Sequence, residues 1–174
     1  SIYFSANAFL PDYLASHGRA DLIGAGLGWL NGAQFLATFV LMLAAERLTG
    51  RTWPYFIFGS MTVAALIGVI VATGVWIVAA SAVIGFATAM TFALVLALPP
   101  RLSASGDVHR TAAGMFTISY TLAIIIPTLS GALWDLTGIP WTAFLPLAAC
   151  SLVLMLLGMV LSRYDTAPRR PRNS

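Results

Sequence analysis

The side chains that could do chemistry within the long apolar segments of this sequence are uncharged amides and hydroxyls. Such groups are costly in a bilayer interior unless they pair with one another or line a wet cavity. They are therefore candidates for hydrogen bonding a solute. The alternatives are that the amides bond neighbouring helices and the hydroxyls bond their own helix. The candidate solute-binding residues are Asn7, Asn31, Gln34, Thr88, Thr117 and Tyr120.

Small residues recur at helical spacing beside one of these amides. At about 100° per residue, the glycines of the second apolar segment share a face with Asn31. A repeat of glycine every fourth residue lets a helix approach a partner closely. In the fifth segment, a proline allows a kink and a glycine follows it one turn later. The predicted helix-packing residues are Gly24, Gly28, Gly32, Pro127 and Gly131.

The groups that catalysis would need are missing from the interiors of these segments. No acidic or basic residue lies deep in any of them, so they offer no proton carrier and no countercharge for an ionic solute. His17 and His109 are predicted to lie on opposite sides of a membrane, and Cys150 is the single cysteine. An intramembrane enzyme needs a catalytic pair or metal motif at depth. We therefore expect no enzymatic activity, no metal and no cofactor.

The composition is that of a membrane protein. Of 174 residues, 59% are hydrophobic and 9% are charged, whereas soluble domains carry about 25% charged residues. A soluble globule of this composition would expose large apolar patches. The composition thus argues against a soluble enzyme, a disordered chain and a nucleic-acid-binding domain.

The lengths of the uncharged runs predict an all-α, polytopic fold with six transmembrane helices, the first of them truncated. A span needs about 20 apolar residues, so the run from Thr52 to Pro100 must turn once, and Thr73-Gly74 is the predicted turn. The expected bundle covers residues 1–163, followed by a cytoplasmic tail over 164–174. The predicted spans are about 1–15, 22–46, 53–73, 75–99, 111–134 and 140–162.

The basic residues predict the orientation. All nine are arginines, and with alternating spans only Arg19 falls on the side opposite the others. Because cytoplasmic loops collect Arg and Lys, we expect a cytoplasmic C-terminus in the plasma membrane, here a bacterial inner membrane. The arginine-rich tail is expected to contact membrane lipid rather than nucleic acid.

Two loop sequences and one helix end resemble a known family, and one of these loops is the polar stretch from Pro99 to Arg110. Glu46-Arg47-Leu48-Thr49-Gly50-Arg51 is an acid-Arg-x-x-Gly-Arg loop, and Pro127 to Gly138 reads Pro-x-x-x-Gly-x-Leu-x-Asp-x-x-Gly. Together they resemble the C-terminal six-helix half of a major facilitator superfamily transporter, over essentially the whole chain. Leu10-Pro11-Asp12-Tyr13-Leu14 and Ala113-Gly114-Met115 look most like the cyanate and nitroimidazole branch of that superfamily.

The resemblance implies secondary transport of a small molecule or small anion by alternating access. It implies a gating loop formed by Glu46, Arg47, Gly50 and Arg51. This loop departs from the family pattern by a glutamate for aspartate, one extra residue and a threonine for the second basic residue. Plain topology anchoring is the alternative role of these charges. The chain starts at Ser1, inside an apolar stretch, so a missing N-terminal six-helix half is the expected partner.

A self-contained six-span channel or carrier acting as a homodimer is the alternative function. The paired Asn-Pro-Ala motifs of aquaporins do not occur in the sequence, nor does the threefold repeat of mitochondrial-type carriers. A gene encoding about six further spans upstream would favour the half-transporter.

Overall fold

The computed structural model describes residues 2–49, 51–97 and 107–165, with side chains up to residue 159. These residues form helices and connecting turns, and none of them forms a strand. Short 3-10 turns at Ala20–Leu22 and Pro140–Phe144 precede the second and last helices. The helices are α1 (Ile2–Ser16), α2 (Ile23–Leu48), α3 (Trp53–Val71), α4 (Val75–Leu96), α5 (Val108–Thr137) and α6 (Leu145–Asp165).

Five of these helices are long and apolar enough to cross a bilayer. The exception is α1, whose 15 residues extend for only about 22 Å at about 1.5 Å per residue. The prediction of an all-helical fold is confirmed for the described residues, and the five long apolar helices are compatible with a multi-pass membrane protein. Within the described part, the predicted tail is represented only by its first residues, and residues 166–174 lie outside it.

Consecutive helices run up and down, as two tyrosines at opposite ends of the bundle show. At one end, the Tyr55 hydroxyl near the start of α3 donates a hydrogen bond to the Leu94 carbonyl near the end of α4, at 3.0 Å. At the other end, the Tyr13 hydroxyl of α1 donates to the Ile70 carbonyl of α3, at 3.3 Å. We call the first of these the Arg51 end, because Arg51 lies in the loop between α2 and α3. We call the other the Gly74 end, because Gly74 lies in the turn between α3 and α4.

All three connections at the Gly74 end turn through a glycine with positive φ. The values are 67° at Gly18, 60° at Gly74 and 67° at Gly138. Only glycine adopts this backbone region without a steric cost, so short reversals of the chain are possible there. The long apolar run therefore turns between α3 and α4 at Gly74, as its sequence predicts.

The core is built mainly by α1, α2, α3, α4 and α6, and α5 contributes Ile126. Its buried side chains form one cluster toward the Gly74 end and a smaller one toward the Arg51 end. Gly85 of α4 lies so close to α2 that a Cβ there would overlap the Leu30 carbonyl oxygen. A Cβ at Gly59 of α3 would lie 2.6 Å from Cγ of Met155 in α6. Gly68 of α3 completes the series, since a Cβ there would lie 3.2 Å from the Ala80 side chain of α4. These contacts place α2, α4, α3 and α6 in a row.

Helix α5 lies outside this row, and among its described residues the buried ones lie in its C-terminal half. Its buried described residues are Ile126 and Ser130. A Cβ at Gly131 would lie 3.6 Å from the Phe9 ring of α1, and Phe9 also pairs with Trp134, with ring centroids 6.3 Å apart. The N-terminal half of α5 consequently presents side chains on nearly all sides.

Candidate functional site

The most extensive polar contact between two helices joins α1 to α2 at half-buried side chains. The Tyr3 hydroxyl donates to Oδ1 of Asn31 at 2.6 Å. Asn31 Nδ2 in turn donates to Oδ1 of Asn7 at 3.0 Å. We call these three residues the amide network. It places two of the predicted solute-binding residues, Asn7 and Asn31, in direct contact.

Main-chain carbonyls one turn earlier fix both amide groups in the network. Asn31 Nδ2 also donates to the Leu27 carbonyl at 2.8 Å, and Asn7 Nδ2 donates to the Tyr3 carbonyl at 3.0 Å. A carbonyl oxygen can only accept a hydrogen bond, so each nitrogen must face its carbonyl. Both Oδ1 atoms are thereby left as acceptors, and the Tyr3 hydroxyl must be the donor to Asn31.

Tyr3 was not among the predicted binding residues. Its spacing of four residues from Asn7 puts both on one face of α1, which is the signal that could have identified it. The reach of its hydroxyl across to α2 depends on how the two helices are rotated against each other, and that rotation is not written in either helix alone.

The remaining candidates on α2 and α4 lie apart from the network. Gln34 is half-buried one turn along α2, and its main-chain carbonyl accepts the Thr38 hydroxyl at 2.9 Å. Thr88 is buried in α4, where its hydroxyl donates to the Ile84 carbonyl at 2.7 Å and lies 3.2 Å from the Gly85 carbonyl. Thr88 thus has its hydrogen bonds within its own helix.

Two further candidates lie on the N-terminal half of α5. The Thr117 hydroxyl donates to the Ala113 carbonyl of its own helix at 2.9 Å, the pattern expected of threonine in a spanning helix. Tyr120 is 64% exposed, and its ring stacks on Phe116 with centroids 6.3 Å apart. The exposed Tyr120 hydroxyl can therefore meet a group from outside this chain.

The predicted gating loop lies at the Arg51 end. Glu46, Arg47 and Arg51 are exposed, and Gly50 is outside the described residues. No ion pair joins these three side chains to any residue that the structure describes. Neighbours such as Glu46 and Arg47 point away from each other on a helix, so a pairing between them would need a rearranged loop.

The predicted packing glycines of α2, which are Gly24, Gly28 and Gly32, face outward. A Cβ at Gly24, Gly28 or Gly32 would meet no described atom within 4 Å. The glycine that α2 does use inside the chain is Gly26, where a Cβ would lie 3.4 Å from Leu10. These three glycines therefore form a strip of exposed main chain, which we call the open glycine strip. Of the other predicted packing residues, Gly131 contacts α1, as described above.

Pro127 is half-buried within α5, which remains helical on both sides of it.

Two recesses lie elsewhere in the chain. The first recess is apolar, has a volume of about 220 Å³ and lies between the end of α4 and the N-terminal half of α5. The other, of about 240 Å³, lies beside Asp12 and Asp135 toward the Gly74 end. Among the described residues, no group of three or more His, Cys, Asp or Glu side chains could hold a metal ion.

Comparison of the chain with protein-family models, with curated proteins and with solved structures gives no match. Function is therefore inferred from the arrangement of this chain's own residues.

Proposed function

We propose that this chain is a six-helix unit of a membrane transporter that moves a small solute by alternating access, as in the major facilitator superfamily. The amide network between α1 and α2 is the observation that carries the proposal. It sets several hydrogen-bonding atoms at half-buried positions within helices that are mainly apolar. Polar groups at membrane depth mark solute pathways because their cost is offset only by pairing or by hydration.

The network also spans two helices, as a moving transporter requires. Tyr3 and Asn7 belong to α1, whereas Asn31 belongs to α2, so a shift of one helix against the other changes two side-chain hydrogen bonds. Each such bond contributes only about 1 kcal/mol net. A solute that replaces them can therefore stabilise a different arrangement of the two helices.

The open faces of α2 and α5 support a larger assembly. The strip of Gly24, Gly28 and Gly32 can take a helix at close range, and Tyr120 is exposed on α5. We propose that a second six-helix unit, the N-terminal half of the transporter, covers these faces. The solute would then lie between the two units at the amide network, as substrates do in transporters built from repeats.

The arginine distribution supports the orientation that belongs to this proposal. Arg47 and Arg51 lie at the same end of the bundle as Arg110, which lies in the first turn of α5. Placed in the cytoplasm, this end satisfies the positive-inside rule. The loop from Glu46 to Arg51 would then exchange ion-pair partners as the cytoplasmic face opens and closes.

Solute-driven swelling of liposomes containing the complete gene product tests the transport function. We expect Asn31→Ala to slow solute entry at unchanged protein content, because it removes the central member of the network. Thr38→Val is the matched control, since this exposed hydroxyl of α2 bonds only its own helix among the described residues. Equal rates in wild type and Asn31→Ala would remove the network from the pathway.

Subunit counting by single-molecule photobleaching distinguishes the alternative of a homodimeric channel or carrier. One labelled chain per functional particle, with a second six-helix unit present, supports the proposal. Two copies of this chain that conduct without a further unit would replace it.

A further inference from the structure

We infer that the amide network selects solutes that donate hydrogen bonds, such as amides, alcohols and ammonium or guanidinium groups, and disfavours anions. This inference rests on the proposed transport function, and it names the substrate class. It follows from the donors and acceptors that the network leaves for a ligand. It departs from the small anion that remained among the substrates expected from the sequence.

Nearly all donors of the network are already occupied. The single proton of the Tyr3 hydroxyl goes to Asn31, and both Nδ2 hydrogens of Asn31 go to Asn7 and to the Leu27 carbonyl. Asn7 uses one Nδ2 hydrogen on the Tyr3 carbonyl. An amide nitrogen carries two hydrogens, so the other hydrogen of Asn7 is the one donor left among the described contacts.

Acceptors remain in larger number. A carboxamide oxygen has two lone pairs and a phenolic oxygen also accepts. In the described contacts, Oδ1 of Asn31 receives one hydrogen bond and Oδ1 of Asn7 receives one. Each keeps a lone pair, and the Tyr3 oxygen keeps its own. Three acceptors thus remain unused in the network, against one donor.

No positive charge near the network compensates for this imbalance. The described basic residues of α1, α2 and the turn between them are Arg19 at the Gly74 end and Arg47 at the Arg51 end. An anion at the network would meet oxygen lone pairs without a countercharge, which is unfavourable where solvent is limited. A neutral or cationic donor would instead complete the unused acceptors.

The open glycine strip gives a ligand room to reach these oxygens. Gly28 lies one turn before Asn31 on the same face, and Gly32 follows it. No described atom lies within 4 Å of a Cβ built at either glycine. A solute can therefore approach the α2 main chain beside the network, between this chain and the second unit.

Three planar solutes of similar size test the inference on the wild-type protein. Guanidinium presents only N–H donors and urea presents mainly N–H donors, whereas nitrate presents only acceptors. Acetamide and acetate form a second matched pair. Binding is measured by isothermal titration calorimetry on the complete protein in nanodiscs, because guanidinium and urea lower melting temperatures as denaturants, and transport is measured as liposome swelling.

We expect guanidinium, urea and acetamide to bind and enter at least tenfold better than nitrate and acetate. Asn31→Leu should lower the affinity for the donor solutes about tenfold, equivalent to about 1.4 kcal/mol, while Thr38→Val leaves it unchanged. Tyr3→Phe provides a second variant: it removes one acceptor and vacates another, so the preference for donors should persist.

The outcomes separate the two proposals. Entry of nitrate or acetate in preference to the donor solutes overturns the inference and leaves transport intact. Donor solutes that bind but do not enter overturn the transport function and leave the preference intact. Absence of both binding and entry overturns both.

Discussion

Glycine has opposite roles in two regions of the molecule. In α4 and α3 it is buried against a neighbouring helix, whereas along one face of α2 it is exposed. At Gly85 and Gly59 a neighbouring helix occupies the space where a Cβ would stand. At Gly24, Gly28 and Gly32 that space is open in the described chain. The regular spacing belongs to the open set, and the closest contacts belong to glycines outside that repeat. Regular spacing therefore indicates a surface suited to close approach, without indicating that the partner lies in the same chain.

Gly85→Leu gives the largest expected effect and tests the buried side of this comparison. The new side chain would overlap the Leu30 main chain and force α2 away from α4. Overpacking of this kind costs about 3 kcal/mol, so we expect a marked fall in the melting temperature in detergent. Gly24→Leu is the control, and an equal loss in both variants would show that the contrast between the two glycine sets is wrong.

Gly28→Leu tests the open side. We expect the fold of this chain to keep its stability, because no described atom occupies the site. If the proposed second six-helix unit covers this face, its association should weaken about tenfold, or about 1.4 kcal/mol, as measured by co-purification of separately tagged halves. A loss of stability in the isolated chain with unchanged association would reverse the assignment of this face.

Gly59→Ala sharpens the comparison by a smaller step. Its Cβ would lie 2.6 Å from Cγ of Met155, a flexible side chain that can move aside. We expect a cost of about 1 kcal/mol, measured as a moderate decrease in melting temperature. The decrease should be smaller than for Gly85→Ala, since a main-chain carbonyl cannot move aside as a methionine can. The reverse order would contradict this reading of the two contacts.

Tyr120→Phe gives the smallest expected change in stability, below about 0.5 kcal/mol, as is usual for exposed positions. Tyr120 lies on the N-terminal half of α5 and is 64% exposed, and its hydroxyl has no hydrogen-bond partner among the described contacts, so we expect only a partner or solute to depend on this hydroxyl. We expect solute entry to slow severalfold at unchanged membrane abundance. Normal entry would exclude Tyr120 from the transport pathway.

The helices were predictable because their signals are local. Uncharged runs of sufficient length define α2 to α6, and Gly74 marks a reversal that only glycine makes easily. The return hydrogen bond of Thr117 was also among the expected alternatives, since it needs only its own helix.

The meeting of Asn7 with Asn31 was not predictable, although each was a candidate. Their contact requires particular rotations of α1 and α2 about their axes, and those rotations follow from packing at sites such as Gly26. The exposure of α5 was hidden for a similar reason. Its sequence is apolar on most sides, as is that of a buried helix, and only its neighbours decide whether it is covered.

The glycine turns at Gly18, Gly74 and Gly138 also bear on how the chain enters the bilayer. In the proposed orientation, with the Arg51 end in the cytoplasm, these are the connections that would have to cross to the far side during synthesis. Each is short, and the one at Gly74 carries no ionisable side chain across. Consecutive helices can therefore insert as paired hairpins, α3 with α4 and α5 with α6, since little polar material has to be translocated with each pair. Lengthening the Gly74 turn with charged residues would burden this insertion step while leaving the finished helix contacts untouched.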